Sequence, residues 1–334
     1  MNFPKCLTGM EPFVDRRGYV FPCCEIDSKS PDGDNIYYNE RLIPSPFVRP
    51  EFNLHNHSYN EIVESVLWRE SINKLYDINF NTCKRMCSYF FVDNNKIAHM
   101  WQVLNRDNKL TASRDENIFR EYKKVDTIDI NKIQLELTSR CGLLCPLCPR
   151  TIQKTKNHDL EPDILHTLIQ SRQWDSIIDC GNRGDSVFYP FYHDFLYMLK
   201  GNVKNYSISV SSTGKGEQWW EKTISLYKHL KNNGVNIRIK FGIDGLKDTS
   251  KLYRKNQNWN EIIEAVKMCI DAKIHTTWQL IPFSFNEHQI KEVENFAKEL
   301  GCHYFYVKRS GRFETNDKLK PASEDLFINF ENYI

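Results

Sequence analysis

The sequence predicts an α/β fold: a parallel sheet covered by helices in the larger, C-terminal part, with a small cysteine-rich unit in front of it. Three observations predict this. From about residue 130, strand-like runs alternate with helix-like ones; Pro and Gly residues punctuate the alternation; and several of the 11 cysteines bunch together rather than scatter. Strands that alternate with helices build right-handed βαβ units, and hence a parallel sheet.

Taken in chain order, residues 13–23 alternate about Asp15-Arg16-Arg17-Gly18, as a short hairpin does. Ser58 and Glu61 form a capping box, followed by Ile62, Val63, Val66 and Leu67 at helical spacing. Residues from about 91 to 128 are rich in Asn, Asp, Lys and Arg and read as a linker or helical connector. Six strand-like runs follow, at 133–138, 176–180, 206–212, 235–243, 275–281 and 303–307. Between them a helix begins at Glu161-Pro162-Asp163, with Pro in the first turn, where its missing N–H costs nothing. Another runs from about Glu217 to Gly234, a C-terminal cap. A third covers 260–272, with Ile262, Val266 and Ile270 on one face, and a fourth covers 287–300 and stops at Gly301. The tail ends in Phe327-Ile-Asn-Phe330, read as a helix over one edge of the sheet. The predicted units are therefore a cysteine-rich domain at 1–92, a connector at 93–129, the α/β core at 130–312 and a tail at 313–334.

Composition narrows the functional classes. The chain has 334 residues, 40% hydrophobic and 26% charged, as an ordinary soluble protein does. A net charge of +2 supplies no long-range field for nucleic acid or an anionic membrane. The N-terminus lacks the apolar core of a signal peptide, and no uninterrupted apolar stretch is long enough for a bilayer. In such a chain, expected to be cytoplasmic, an odd count of 11 cysteines argues against a disulfide framework. Cys180, Cys269 and Cys302 read as buried thiols. The clustered cysteines need another explanation.

The run Cys141-Gly-Leu-Leu-Cys145-Pro-Leu-Cys148 holds three cysteines spaced CxxxCxxC, directly after the first strand-like run of the core. A cubane iron–sulfur cluster needs a thiolate on each iron it fixes. Three thiolates fix three irons and leave the fourth open to a small ligand. A structural zinc knuckle is the competing reading, but zinc closes four ligands, and three bunched cysteines without a fourth partner fit it poorly. The motif resembles the signature of the radical S-adenosylmethionine (SAM) superfamily. That resemblance implies a [4Fe–4S] cluster on Cys141, Cys145 and Cys148, whose open iron chelates the amino and carboxylate groups of SAM. Reduction then cleaves SAM to methionine and a 5′-deoxyadenosyl radical. It also implies that the six units close into a partial (β/α)6, TIM-like barrel of the radical SAM type. Ligands of such sheets sit at the C-terminal ends of the strands.

Further stretches resemble the SAM-holding turns of that family. Cys180-Gly-Asn-Arg-Gly-Asp-Ser186 follows the second strand, where relatives carry Gly-Gly-Glu-Pro. Gly184 and Asp185 take that place, which implies that Asp185 receives the SAM amino group. Ser211-Ser212-Thr213-Gly214 resembles the family's Thr-Asn-Gly turn, and the hydroxyls of Ser212 and Thr213 are implied to reach the methionine or ribose. Phe241-Gly-Ile-Asp244-Gly245, followed by Arg254, resembles Ser-Ile-Asp-Gly and its later Arg. Arg254 is then implied to grip the SAM carboxylate through the bidentate fork that only guanidinium offers. Gly242 stands where relatives have Ser, and Leu147 where they have an aromatic bordering the adenine. Each stretch also has a plain reading, as a polar turn or a surface arginine. Trp278, Gln279 and Val307 are further candidates for the pocket wall, or simple barrel packing.

The second bunch comprises Cys6, Cys23-Cys24 and Cys83-Lys-Arg-Met-Cys87. Two cysteines at a hairpin and two after a helix make one four-thiolate site, suited to zinc or [4Fe–4S]. The pattern resembles the twitch domain, the shorter relative of the SPASM domain, placed before the barrel as in the N-terminal-twitch subfamily. It implies an auxiliary [4Fe–4S] cluster on Cys6, Cys23, Cys83 and Cys87. Cys24 can replace Cys23, because neighbours on a strand point to opposite faces. His55 and His57 read as solvated.

The function expected from these resemblances is that of a radical SAM enzyme, an oxidoreductase of the dehydrogenase type. Flavodoxin or ferredoxin would deliver the electron. The radical would take hydrogen from a small molecule, sugar, nucleotide or peptide, and the auxiliary cluster would accept an electron. Two other classes remain. One is a cluster-carrying electron-transfer or binding protein that does not cleave SAM, which the departures at Asp185, Ser186 and Gly242 motivate. The other is a zinc-stabilised module for nucleic acid or protein, against which the neutral charge balance stands.

Overall fold

The computed structural model describes residues 11–24, 35–38, 41–77, 89–93, 96–99, 119–121, 130–308, 310, 312–313 and 318–322. A hairpin of β1 (Phe13–Val14) and β2 (Val20–Phe21) comes first, antiparallel, with Val14 opposite Val20. Asp15 shapes its turn: Oδ1 accepts from the amides of Arg17 at 2.9 Å and Tyr19 at 3.0 Å. A second pair, β3 (Asn35–Tyr38) and β4 (Arg41–Pro44), is also antiparallel.

Helices α1 (Tyr59–Glu64) and α2 (Val66–Asp77) follow. The capping box forms: Ser58 Oγ accepts from the Glu61 amide at 3.3 Å, and Glu61 Oε2 accepts from the Ser58 amide at 2.8 Å. The apolar run does not continue as one helix, because Ser65 is extended at φ −67 and ψ 142. The break turns Val66 outward, 71% exposed, while Ile62, Val63 and Trp68 are buried. Within the expected connector, β6 (Lys96–His99) and β7 (Phe119–Glu121) join β5 (Tyr89–Asp93) in an antiparallel three-stranded sheet.

The rest is a regular alternation: β8 (Lys132–Leu135), α3 (Pro149–Ile152), α4 (Pro162–Gln170), β9 (Ser176–Asp179), α5 (Tyr192–Leu199), β10 (Asn205–Val210), α6 (Glu217–Asn232), β11 (Asn236–Gly242), α7 (Ser250–Tyr253), α8 (Trp259–Asp271), β12 (His275–Leu280), α9 (Ile290–Leu300) and β13 (Tyr304–Val307). All six expected strands form, pair in parallel and lie in sequence order, as β13-β12-β11-β10-β9-β8. Among the described residues β13 pairs with β12 alone, so the barrel is partial. On the other flank β1 runs parallel beside β8, with β2 outside it. The N-terminal hairpin thus extends the barrel's own sheet.

Two faces follow from the period of two along each strand. Tyr206, Ile208 and Val210 of β10 and Ile237, Ile239 and Phe241 of β11 are buried against the helices. Trp278 of β12 packs the same way, 6.2 Å from the Trp259 ring and 6.0 Å from Phe296. Trp278 and Val307 therefore belong to the outer core. The concave face carries the alternate residues, among them Ser207, Ser209, Arg238, Lys240, Thr277 and Gln279.

The hairpin shares this core. Phe13, Phe21, Phe47 and Phe52 form a chain of ring contacts near 6 Å (6.0, 6.2 and 6.0 Å). Trp68 Nε1 donates to the Val20 carbonyl at 3.2 Å. Arg16 reaches over to β8's end, where Nη1 donates to Glu136 Oε2 at 2.7 Å, both side chains almost fully buried.

A buried polar chain runs behind β9 and β10. Asp179 accepts from the Ser186 hydroxyl and from Tyr206 at 3.0 Å; Tyr206 meets Tyr192 at 3.1 Å, and Tyr192 meets Tyr227 at 2.5 Å. Burial pushes the Asp179 carboxyl up from 3.8 to about 7, against the pull of the Ser186 and Tyr206 hydrogen bonds. The folded state therefore holds this proton more tightly than the unfolded one between those values. Its stabilising contribution is full below about pH 4 and is lost as pH rises through about 7. Asp179→Asn is expected to flatten that descent. Thermal unfolding midpoints across this pH window check it; equal slopes in both proteins would refute it.

Candidate active site

The mouth of the barrel is built from the loops that leave the C-terminal strand ends. The loop after β8 carries Cys141, Cys145 and Cys148, none in a disulfide. Cys145 is buried and the other two are half-buried. All three border one apolar cluster with Leu143, Leu147, Tyr253 and Phe283. The Tyr253 and Phe283 rings stack at 4.2 Å, and Phe285 and Phe313 extend the wall at 5.2 and 5.6 Å. Leu147 thus keeps apolar contact with this wall where an aromatic was expected to border a ligand.

Arg150, which the sequence reading missed, shapes the loop. Its Nη2 donates to the carbonyls of Cys141 at 3.1 Å and Leu143 at 2.5 Å. Only its position, two residues past Cys148, signals this role. A Cβ at Gly142 would stand 3.0 Å from both the Thr213 carbonyl and the Phe188 ring.

Burial pushes the Cys141 thiol up to about 11, with nearby Asp185 adding to it; the Ser212 hydroxyl, 3.0 Å from the sulfur, works the other way. Burial likewise raises Cys145, against the pull of Arg254, which touches it. Such sulfurs stay protonated until a cation replaces the proton. Three soft thiols on one loop, walled from water on an apolar side, are a fitting donor set for an iron–sulfur cube. Among the described residues no three His, Cys, Asp or Glu converge on the space of a single ion. A cube takes each thiolate on a separate iron.

The loop after β9 packs against this one. A Cβ at Gly184 would overlap the Thr138 carbonyl, so only glycine lets the two loops touch. Asp185 is 3% exposed, and its Oδ2 accepts from the amides of Ser211 at 2.7 Å and Ser212 at 2.8 Å. Its Oδ1 accepts from Val187 at 3.4 Å. Burial raises the Asp185 carboxyl, and these amides oppose the shift. Asp185 thereby clasps the next loop.

That loop is held at its far end by Glu261, unforeseen from the sequence, whose carboxylate accepts from the amides of Gly214 at 2.8 Å and Lys215 at 2.9 Å. The Ser212 hydroxyl faces Cys141, whereas Thr213 Oγ1 accepts from the Asn258 amide at 2.8 Å and caps α8's entry. After β11, Asp244 is fully buried; Oδ1 accepts from the Ile281 amide at 2.8 Å and Oδ2 from Arg254 Nε at 2.6 Å. Burial works against the Arg254 charge, but Asp244 more than offsets it, and the guanidinium is held cationic. It lies 5.7 Å over the Tyr253 ring.

Gly242 is explained by its neighbour. A Cβ there would overlap Ser211 Oγ and stand 3.0 Å from Arg254 Nη2. The Ser211 hydroxyl fills the space that a side chain at 242 would take.

The structure thus brings Cys141, Cys145, Cys148, Leu147, Ser212, Asp185, Asp244 and Arg254 to one mouth. Thr213 contributes its carbonyl, and Gly184 the space between loops. Of the expected auxiliary ligands, Cys23 is buried and Cys24 half-buried at the end of the hairpin. Cys6, Cys83 and Cys87 lie outside the described residues, as does the tail at 327–330. His55 and His57 are exposed, and His55 Nδ1 stands 3.9 Å from Glu161.

No protein-family model matches the chain, and no curated protein matches it. Solved structures do. One is native anSMEcpe with bound AdoMet and the Cp18Cys peptide: 14% identity, 53% of this chain and 50% of that one, TM-score 0.42. Another is SuiB of Streptococcus suis bound to S-adenosylmethionine: 13% identity, 57% and 43% coverage, TM-score 0.45. A third, SuiB of Streptococcus suis bound to its precursor peptide SuiA, is 12% identical over 97% of this chain and 66% of that one, TM-score 0.45. The chain spans about half the length of the first of these, 50%. Among the described residues no helix is long and apolar enough to cross a membrane.

Proposed function

We propose that this chain is a radical SAM enzyme, with a [4Fe–4S] cluster on Cys141, Cys145 and Cys148. One observation carries the reading: the CxxxCxxC thiols leave the first barrel strand and share an apolar mouth with the Arg254 guanidinium. When bound, the cluster supplies the electron that splits SAM into methionine and a 5′-deoxyadenosyl radical. The chain's own part is positional. Arg254 is fixed through Nε by Asp244 and touches Cys145, and the rest of its fork is left for a carboxylate. Leu143, Leu147, Tyr253 and Phe283 exclude water from the radical. The substrate's hydrogen is presented from the concave face below.

The wider reading is of an oxidoreductase supplied by flavodoxin or ferredoxin, with an auxiliary cluster on Cys6, Cys23, Cys83 and Cys87 taking the second electron. Anaerobic reconstitution followed by SAM and dithionite tests the core of it. Release of 5′-deoxyadenosine is the expected result; its absence from iron-loaded protein rejects SAM cleavage. Arg254→Lys, which lacks the planar fork, is expected to weaken SAM at least about tenfold, or ~1.4 kcal/mol, with iron content retained. Calorimetric titration of SAM checks this.

A second reading has its own support. Both Asp185 oxygens already accept backbone amides, which leaves that carboxylate little capacity for an ammonium group. A cluster-bearing electron carrier that does not cleave SAM would need none, and the same deoxyadenosine assay separates the two.

A further inference from the structure

We propose that Lys240 and Gln279 anchor a small anionic substrate on the concave face of the barrel, one bearing a carboxylate or phosphate together with a hydroxyl or amino donor. This deepens the reading above and rests on it, since the anchored molecule is the one from which hydrogen is taken.

The argument starts from strand register. Ile239 and Phe241 point into the outer core, so Lys240 between them points to the concave side. Its row is polar across three strands: Ser209 pairs with Lys240, and Lys240 with Thr277. One pleat nearer the mouth, Gly242 pairs with Gln279. Trp278 faces outward, so Gln279 faces inward beside Lys240's row. At Gly242 the Ser211 hydroxyl takes the space of a side chain, and Arg254 Nη2 stands 3.0 Å from where a Cβ would be, so this row ends against Arg254.

The electrostatics point to an anion. Among the described residues no carboxylate pairs with Lys240. The titratable groups that act on it are the Lys308 ammonium and the Cys180 thiol. Burial first, and then Lys308, lower the ammonium to about 8, so it is still cationic at neutral pH. The acids at the far flank of the sheet are committed elsewhere: Glu136, just past β8, to Arg16 and the Arg183 amide, and Glu11, just before β1, to Gln134. Lys240 is half-buried, and an ammonium partly withdrawn from water without a counter-ion is costly unless something pairs with it. Gln279 adds a directional request. It is 8% exposed, and its Oε1 is buried without a hydrogen-bond partner. A carbonyl oxygen accepts only, so it asks for a hydroxyl or amine on the same ligand.

The test uses the full-length protein labelled with [13Cε]lysine, with the Lys240 signal assigned by its loss in Lys240→Arg. Inorganic phosphate and acetate are titrated separately. One of them is expected to saturate and to raise the Lys240 titration by about one pH unit, equivalent to about a tenfold affinity difference between its two protonation states. Saturation by phosphate alone assigns a phosphate ligand, and by acetate a carboxylate. Glycolate is expected to bind more tightly than acetate in the wild type and equally in Gln279→Leu. Calorimetry on Lys240→Met is expected to show at least about tenfold weaker binding. Should neither anion move the Lys240 signal, or should Lys240→Met bind as well as the wild type, the side chain merely extends to solvent and the proposal is overturned. Iron content, measured on the same samples, keeps the two readings apart: iron without anion binding rejects only this site, and anion binding without iron rejects only the cluster.

Discussion

Cys145→Ala is expected to strip the barrel of its iron and reduce 5′-deoxyadenosine release to background. Cys145 is the most buried thiol of the loop and the one in contact with Arg254. Its loss removes one corner of the donor set and leaves an apolar gap that water enters. Disturbing an outer-shell partner alone costs metal sites about 10–100-fold, so deletion of a donor is expected to exceed about 100-fold in iron affinity. Cys269→Ala is the control. That thiol lies fully buried in the outer core, where burial raises it and no donor role exists. Anaerobic iron and sulfide analysis of the two proteins decides the matter. A Cys145→Ala protein with wild-type iron would remove the basis of the proposed function.

Arg16→Met is expected to cost about 3–5 kcal/mol, the usual penalty for breaking a buried ion pair from one side. Glu136 is fully buried, and Arg16 holds it at 2.7 Å with 3% of its own side chain exposed. Deleting the cation strands a carboxylate in the wall between the hairpin and β8. Adding Glu136→Gln removes that charge and is expected to restore part of the loss, while the amide oxygen still accepts from the Arg183 amide. Urea unfolding midpoints of the two variants measure this. A single-variant cost under about 1 kcal/mol, typical of surface pairs, would mean that water reaches the pair.

Much of the barrel was legible in the sequence because its signals are local. Each strand run is bounded by turn residues, and the helices stop where Gly234 and Gly301 stand. Tyr192–Leu199 was not singled out, because its aromatic residues at 192, 195 and 197 blur the helical period. The break at Ser65 was equally hidden, since Val66 and Leu67 keep the apolar rhythm on paper. The three-cysteine loop could be read from spacing alone. The engagement of Asp185 could not: which acceptor its carboxylate meets depends on Ser211 and Ser212, 26 and 27 residues away. The same holds for Glu261 and for the pairing of the hairpin with β8, contacts that no periodicity announces.

Ser211 and Gly242 form a coupled pair whose consequence reaches beyond geometry. The Ser211 hydroxyl, at the end of the third core strand, occupies the volume that a side chain on the fourth would take. A side chain at 242 forces the Ser211 hydroxyl to turn out of that volume, so a change at either position is felt at the other. One volume at this mouth can thus be furnished with an oxygen from either of two neighbouring strands, and a linear pattern that inspects only one of them does not register the other.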